Sequence, residues 1–218
     1  MGFALWIGDG TATYIAMNIG AGLKEEANKA ISQSVILLGI ISAITVTLTY
    51  LFMEPILYLS GCTPLMLPYA TEYIKYFLLG MPFHIFACGI NPSIRADGNP
   101  NYAMISMMAG CALNFILAPL FIFGFNMGIA GSAISTVISQ LFSMILVLLY
   151  LPRLKTFTFS RKNIRLHGKL PLTVLKLGSS SLMLNSCQIV NILIINRLLV
   201  FYGTMSSLGA EAVFAAMG

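Results

Sequence analysis

Apolar residues run through this sequence in long unbroken stretches, separated by short polar intervals. Six stretches approach bilayer length: 3–21, 30–53, 76–94, 102–123, 129–150 and 172–201. A hydrocarbon core takes about 20 apolar residues in helix, so each stretch predicts a transmembrane helix. The second is the plainest. Ala30 to Met53 carries no charge and stops at Glu54-Pro55, a charge followed by a residue that cannot donate within a helix. The third holds Pro82 and Pro92, which membrane helices tolerate where neighbours re-satisfy the freed carbonyls. The fourth has Pro119 near its end, and the fifth ends at Leu151-Pro152. Transmembrane strands are excluded, because they alternate apolar and polar over about 10 residues. A signal peptide is excluded too: no Lys or Arg precedes the first stretch, and Asp9 sits inside it.

Composition agrees. There are 12 Lys and Arg and 7 Asp and Glu among 218 residues, 58% are hydrophobic, and the charged share is 9%. A soluble domain carries about 25%. A disordered chain, a secreted disulfide scaffold and an ordinary cytosolic enzyme are excluded, which leaves an all-α polytopic membrane protein. Cys62, Cys88, Cys111 and Cys187 are scattered, and only His84 and His167 are available to join them, so no metal or other cofactor is expected. Paired acids, HExxH and a Ser/His pair are missing from the spans, so a membrane-embedded enzyme is not expected either.

The position of the charge gives a direction. Loops after the first, third and fifth spans hold Lys24, Lys29, Arg95, Arg153, Lys155, Arg161, Lys162, Arg165 and Lys169; the other side holds only Lys75. The positive-inside rule then puts the basic loops in the cytoplasm of a multi-pass plasma-membrane protein. The same asymmetry speaks for a lipid bilayer as partner and against nucleic acid. With the first span running inward and Ala215-Ala216-Met217-Gly218 starting another apolar run, the chain is expected to be a piece of a longer protein.

Charged residues inside spans are functional candidates. Asp9, flanked by Gly8 and Gly10, reads either as an ion- or substrate-binding carboxylate or as a residue at the outer surface. His84 could titrate or simply bond a neighbouring carbonyl, and Arg197 is placed to snorkel. In the last span Asn185, Gln188, Asn191 and Asn196 share one face at about 100° per residue. Such a face lines a cavity or bonds helices together. Asn114, Thr136 and Gln140 are the polar residues of the fourth and fifth spans, where Ser135, Ser139 and Ser143 repeat as a packing surface.

Several segments together resemble the multidrug and toxic compound extrusion (MATE) family. Gly8-Asp9-Gly10-Thr11-Ala12-Thr13 and Asn18-Ile19-Gly20-Ala21-Gly22, followed by Lys24-Glu25-Glu26-Ala27, look like its second helix and the loop after it. Glu54-Pro55, Glu72-Tyr73 and Gly80-Met81-Pro82-Phe83 resemble its third and fourth helices. Arg95-Ala96-Asp97-Gly98-Asn99-Pro100 is similar to the loop between helices four and five. Leu113-Asn114, Pro119, Ile122-Phe123-Gly124, Gly128-Ile129-Ala130-Gly131-Ser132-Ala133 and Thr136-Val137-Ile138-Ser139-Gln140 follow in the order of helices five and six.

The resemblance implies twelve helices in two six-helix lobes, with this chain supplying helices two to seven. Residues 1–151 would then be most of the first lobe, 152–171 a cytoplasmic linker, and 172–218 the first helix of the second lobe and the start of the next. It implies efflux of cationic amphipathic compounds in exchange for H+ or Na+, with the remainder of the transporter as a necessary partner. The ion- or substrate-binding set is Asp9, Asn114, Thr136, Asn185 and Gln188. Two acidic positions of relatives are neutral here: Ala118 stands just before the helix-five proline, and Gln188 where a helix-seven glutamate is expected. A lipid-linked saccharide flippase would want a cationic cavity, for which Arg197 alone is a candidate within the spans; an inactive truncated remnant is the other alternative.

Overall fold

The computed structural model describes residues 2–59, 66–157 and 170–205. These form eight α-helices: α1 Gly2–Gly20, α2 Lys24–Leu51, α3 Met53–Leu59, α4 Leu67–Ala96, α5 Pro100–Pro119, α6 Gly128–Tyr150, α7 Leu170–Leu177 and α8 Ser179–Met205. Cys62, His167, most of the expected linker and the apolar run at 215–218 lie outside the described residues.

Local chemistry explains the joints. Gly98 adopts φ +85°, the left-handed conformation that glycine takes without steric cost, and its N–H donates to the Arg95 carbonyl at 3.0 Å. Asn99 then caps α5 by accepting from the Tyr102 N–H at 3.2 Å, and Pro100 follows in the first turn, where its missing N–H is harmless. At the other end of α5, Pro119 leads directly into a π-helical turn, Leu120–Gly124. A proline withholds one helical hydrogen bond, and widening the helix is one way to absorb the loss. Glu54-Pro55 behaves differently from the reading of the sequence. α2 already stops at Leu51, the break falls at Phe52, and Glu54-Pro55 lies inside α3 with Pro55 in its opening turn.

Among the described residues, four long helices are apolar enough to cross a membrane: Lys24–Leu51, Leu67–Ala96, Pro100–Gly124 and Gly128–Arg153. A fifth span arises if Leu170–Leu177 and Ser179–Ile195, bent by 46°, are taken as one broken helix. The expected first span is helical, yet α1 is not among these; Asp9, Thr11, Thr13 and Asn18 dilute its apolarity. It compensates by position. α1 packs against α2, α4, α7 and α8, and Ala4, Ile7, Thr11 and Ile15 are buried on it.

α4 joins the two halves of the bundle, contacting α1 and α2 on one side and α5 and α6 on the other. Its two interior prolines, Pro82 and Pro92, lie inside one continuous helix of 30 residues. Buried polar bonds tie the neighbours: Asn91 Nδ2 donates to the Ala103 carbonyl at 2.8 Å, and Tyr102 donates to the Leu146 carbonyl at 2.8 Å. Large apolar side chains face outward, among them Phe115, Phe123 and Met183 at 81%, 77% and 72% exposure. Such a surface suits hydrocarbon and is costly in water.

Candidate functional site

A cavity of about 380 Å³ opens between α4, α5 and α6. Its polar wall is made by Asn114, Thr136, Ser139 and Gln140, with His84 and Cys88 of α4 opposite. Asn114 Nδ2 donates to Thr136 Oγ1 at 3.2 Å and lies 3.5 Å from Ser135 Oγ. Thr136 donates in turn to the Ser132 carbonyl at 2.9 Å, so its oxygen is held as an acceptor. Gln140 sits one turn further along α6, packed under Gly80 of α4, where an added Cβ would run into its amide oxygen. That Oε1 is buried and has no hydrogen-bond partner among the described residues. Leaving a buried acceptor unmade costs about 1–3 kcal/mol. None of the described lining residues is Asp, Glu, Lys or Arg, and Ala118 is not among them.

Asp9 is in a second cluster, on the other side of α4. Its Oδ2 accepts from the Ser181 hydroxyl at 2.7 Å, and its Oδ1 lies 3.9 Å from Arg95 Nη2. Asn185, one turn beyond Ser181, donates to the Ser181 carbonyl at 2.7 Å. Asp9 is half-buried and turned toward the basic end of the bundle, not toward the opposite surface. The cluster forms because α1 and the α7–α8 break interlock through glycines. Trp6 Nε1 donates to the Leu175 carbonyl at 2.8 Å. A Cβ on Gly10 would strike the Val174 carbonyl oxygen, and one on Gly178 the Trp6 carbonyl oxygen.

The five expected site residues therefore separate. Asn114 and Thr136 meet in the cavity, Asp9 and Asn185 converge on Ser181, and Gln188 is exposed on α8 with Asn191. Asn185, Gln188 and Asn191 do not line the cavity between α4, α5 and α6.

Gln140, His84 and Ser139 join the cavity wall, although the sequence offered them only as secondary candidates or packing residues. Ser139 is also buried, in keeping with the packing role.

A third polar centre was hidden inside the Arg95–Pro100 motif. Asp97 is 7% exposed. It accepts from Tyr150 Oη at 2.9 Å, from the Lys155 N–H at 3.0 Å and from the Thr156 N–H at 2.7 Å. One carboxylate thus clamps the segment after α6 onto the α4–α5 turn, and Leu154 and Phe157 are buried beside it. An acid next to a turn glycine pointed to a turn; the distant donors had no local signal.

An all-α bundle with several bilayer-length helices and a polar pocket among them defines a polytopic membrane protein. Residues 1–120 match the MatE family, and the chain belongs to it. It is 28% identical over 209 residues to "Multidrug export protein MepA" of Staphylococcus saprophyticus, covering 94% of this chain and 46% of that protein. To the MepA of Staphylococcus aureus it is 29% identical over 210 residues, with the same 94% and 46% coverage. Its fold superposes on the inward-facing conformation of a multidrug resistance MATE family transporter of the MOP superfamily with TM-score 0.87, at 24% identity, over 97% of this chain and 48% of that one. On the outward-facing conformation of such a transporter the TM-score is 0.80, at 23% identity, over 99% and 47%. The chain spans about half the length of the relatives it matches.

Proposed function

We propose that this chain forms most of one lobe, and the opening helix of the other, of a secondary active multidrug exporter of the plasma membrane. In this reading residues 1–151 belong to the first lobe, 152–171 link the lobes on the cytoplasmic side, and 172–218 begin the second. Cationic amphipathic compounds leave in exchange for H+ or Na+ as the lobes rock about a midplane site. The observation that carries the reading is the cavity between α4, α5 and α6. It offers a fixed Asn114–Thr136 pair with Ser139, Gln140 and Ser143 further along α6 and His84 opposite. Acceptor oxygens of this kind receive an organic cation or a sodium ion without placing a fixed charge in the membrane, which would be expensive.

A neutral cavity does not by itself couple transport to an ion, because coupling requires an ion to bind one state better than another. Asp9 is the group for that role. In the state described it accepts from Ser181 and faces Arg95. A proton or sodium ion taken up by the carboxylate weakens its hold on both and favours separation of α8 from α1.

The test is ethidium efflux from cells making this chain alone and from cells making it extended at both ends to twelve spans. Efflux by the longer protein only, lost in its Asp9→Asn variant, is the expected result. Unchanged Asp9→Asn efflux across pH and sodium concentration removes Asp9 from the mechanism. Efflux by neither protein refutes the exporter reading.

A further inference from the structure

A second cavity, of about 410 Å³, lies between α2 and α4 and shares no lining residue with the three polar centres. Its walls are Val46, Thr47 and Tyr50 of α2 and Lys75, Leu78 and Leu79 of α4. The order of these residues along the bundle is informative. α2 starts beside the basic turns and runs away from them, so Tyr50 is further out than Val46. α4 runs the opposite way and ends at Arg95, so Lys75 is further out than Leu78 and Leu79. At 1.5 Å rise per residue, polar mouth and apolar floor are separated by about 6 Å on each helix.

The mouth is at the level of an aromatic girdle. Tyr50, Tyr58, Tyr69 and Tyr76 are all exposed at this end, and tyrosines gather where headgroups meet hydrocarbon. Lys75 is exposed there and makes no ion pair among the described residues; Glu72, one turn further out on α4, is exposed as well. The Thr47 hydroxyl is already committed to the Ala43 carbonyl at 2.8 Å. The groove therefore offers one ammonium at headgroup depth and an aliphatic floor beneath it.

We propose that this groove is a binding site for an anionic glycerophospholipid. Its phosphate meets Lys75, its glycerol region lies on Tyr50, and one acyl chain runs over Val46, Leu78 and Leu79. The polarity order of the groove along the membrane normal is that of the lipid. An exported organic cation has the wrong sign, since Lys75 would repel it. The site depends on membrane embedding and is independent of the export reading.

Native mass spectrometry of the purified protein, equilibrated with equal phosphatidylglycerol and phosphatidylcholine, tests it. Wild type is expected to retain phosphatidylglycerol in preference. Lys75→Gln should lower that retention about fivefold, the effect of one basic residue at an anionic surface, while Lys75→Arg keeps it. Val46→Trp fills the floor and should lower retention with Lys75 intact. Equal retention of the two lipids by wild type, no change in Lys75→Gln, or displacement of phosphatidylglycerol by ethidium would each overturn the proposal.

Discussion

Asp97→Ala removes the one acceptor that three donors share. Two of them, the Lys155 and Thr156 N–H groups, have a carboxylate oxygen at 3.0 and 2.7 Å, and the third is the Tyr150 hydroxyl at 2.9 Å. Hydrogen bonds to a charged partner contribute about 1.5–3 kcal/mol each. Lys155 is exposed and Thr156 half-buried, so water replaces part of what is lost, and the net cost is about 4 kcal/mol. Asp97→Asn keeps one acceptor oxygen for both backbone donors and loses mainly the charge, which makes its cost about 1 kcal/mol. The assay is tryptic cleavage after Lys155 in the purified protein under native conditions. When reclosing outpaces cleavage, the rate follows the open population. At 1.4 kcal/mol per factor of ten, Asp97→Ala should be cut about a thousandfold faster than wild type and Asp97→Asn about fivefold faster. Equal rates in all three proteins would mean that residues 154–157 are held by Leu154 and Phe157, not by the carboxylate, and the reasoning would fail.

Three further outcomes are expected. Gln140→Leu relieves a buried unpaired oxygen and should raise thermal stability in detergent by about 1 kcal/mol, while ethidium efflux by the extended protein falls; a loss of stability would show that the oxygen has a partner. Thr136→Val removes the acceptor for Asn114 and should cost about 1 kcal/mol in the same melt, with Asn114→Ala adding little on top, since both break one bond; full additivity would argue against the pair. Gly178→Val drives a side chain into the Trp6 carbonyl and should break the α1–α7 contact. Because Trp6 is the only tryptophan, its emission reports the change directly, and an unaltered spectrum would contradict the close packing.

The helices were legible because bilayer length and continuous apolarity are local properties. α2, α4, α5 and α6 follow from them, with boundaries blurred where Pro55 and Pro82 sit in helices that carry on. The turn at Asp97-Gly98-Asn99-Pro100 was equally visible, since a left-handed glycine and an N-cap leave their mark within four residues. What could not be read was the pairing of distant groups. Asn114 and Thr136 stood out one by one as polar residues of two different spans, with no local signal that they meet. Asp9 was visible as a charge inside an apolar stretch, but its partners stand 86 and 172 residues away, at Arg95 and Ser181. Gln188 was judged from helical periodicity, which says which residues share a face but not what that face meets. Asp97 resembled an ordinary turn acid, because its donors are backbone groups that carry no residue identity.

The modest apolarity of α1 has a consequence for how the protein is made. A segment bearing Asp9, two threonines and Asn18 gains little by entering a bilayer alone. Its neighbour α2 has the opposite character, with no charge from Ala30 to its last residue, and only three residues separate the two helices. Insertion of the two as one hairpin would let the second carry the first, and packing against α4 and α7 then covers part of α1. In the folded bundle the polarity of α1 is taken up by its neighbours, with Ser181 and Arg95 at the carboxylate.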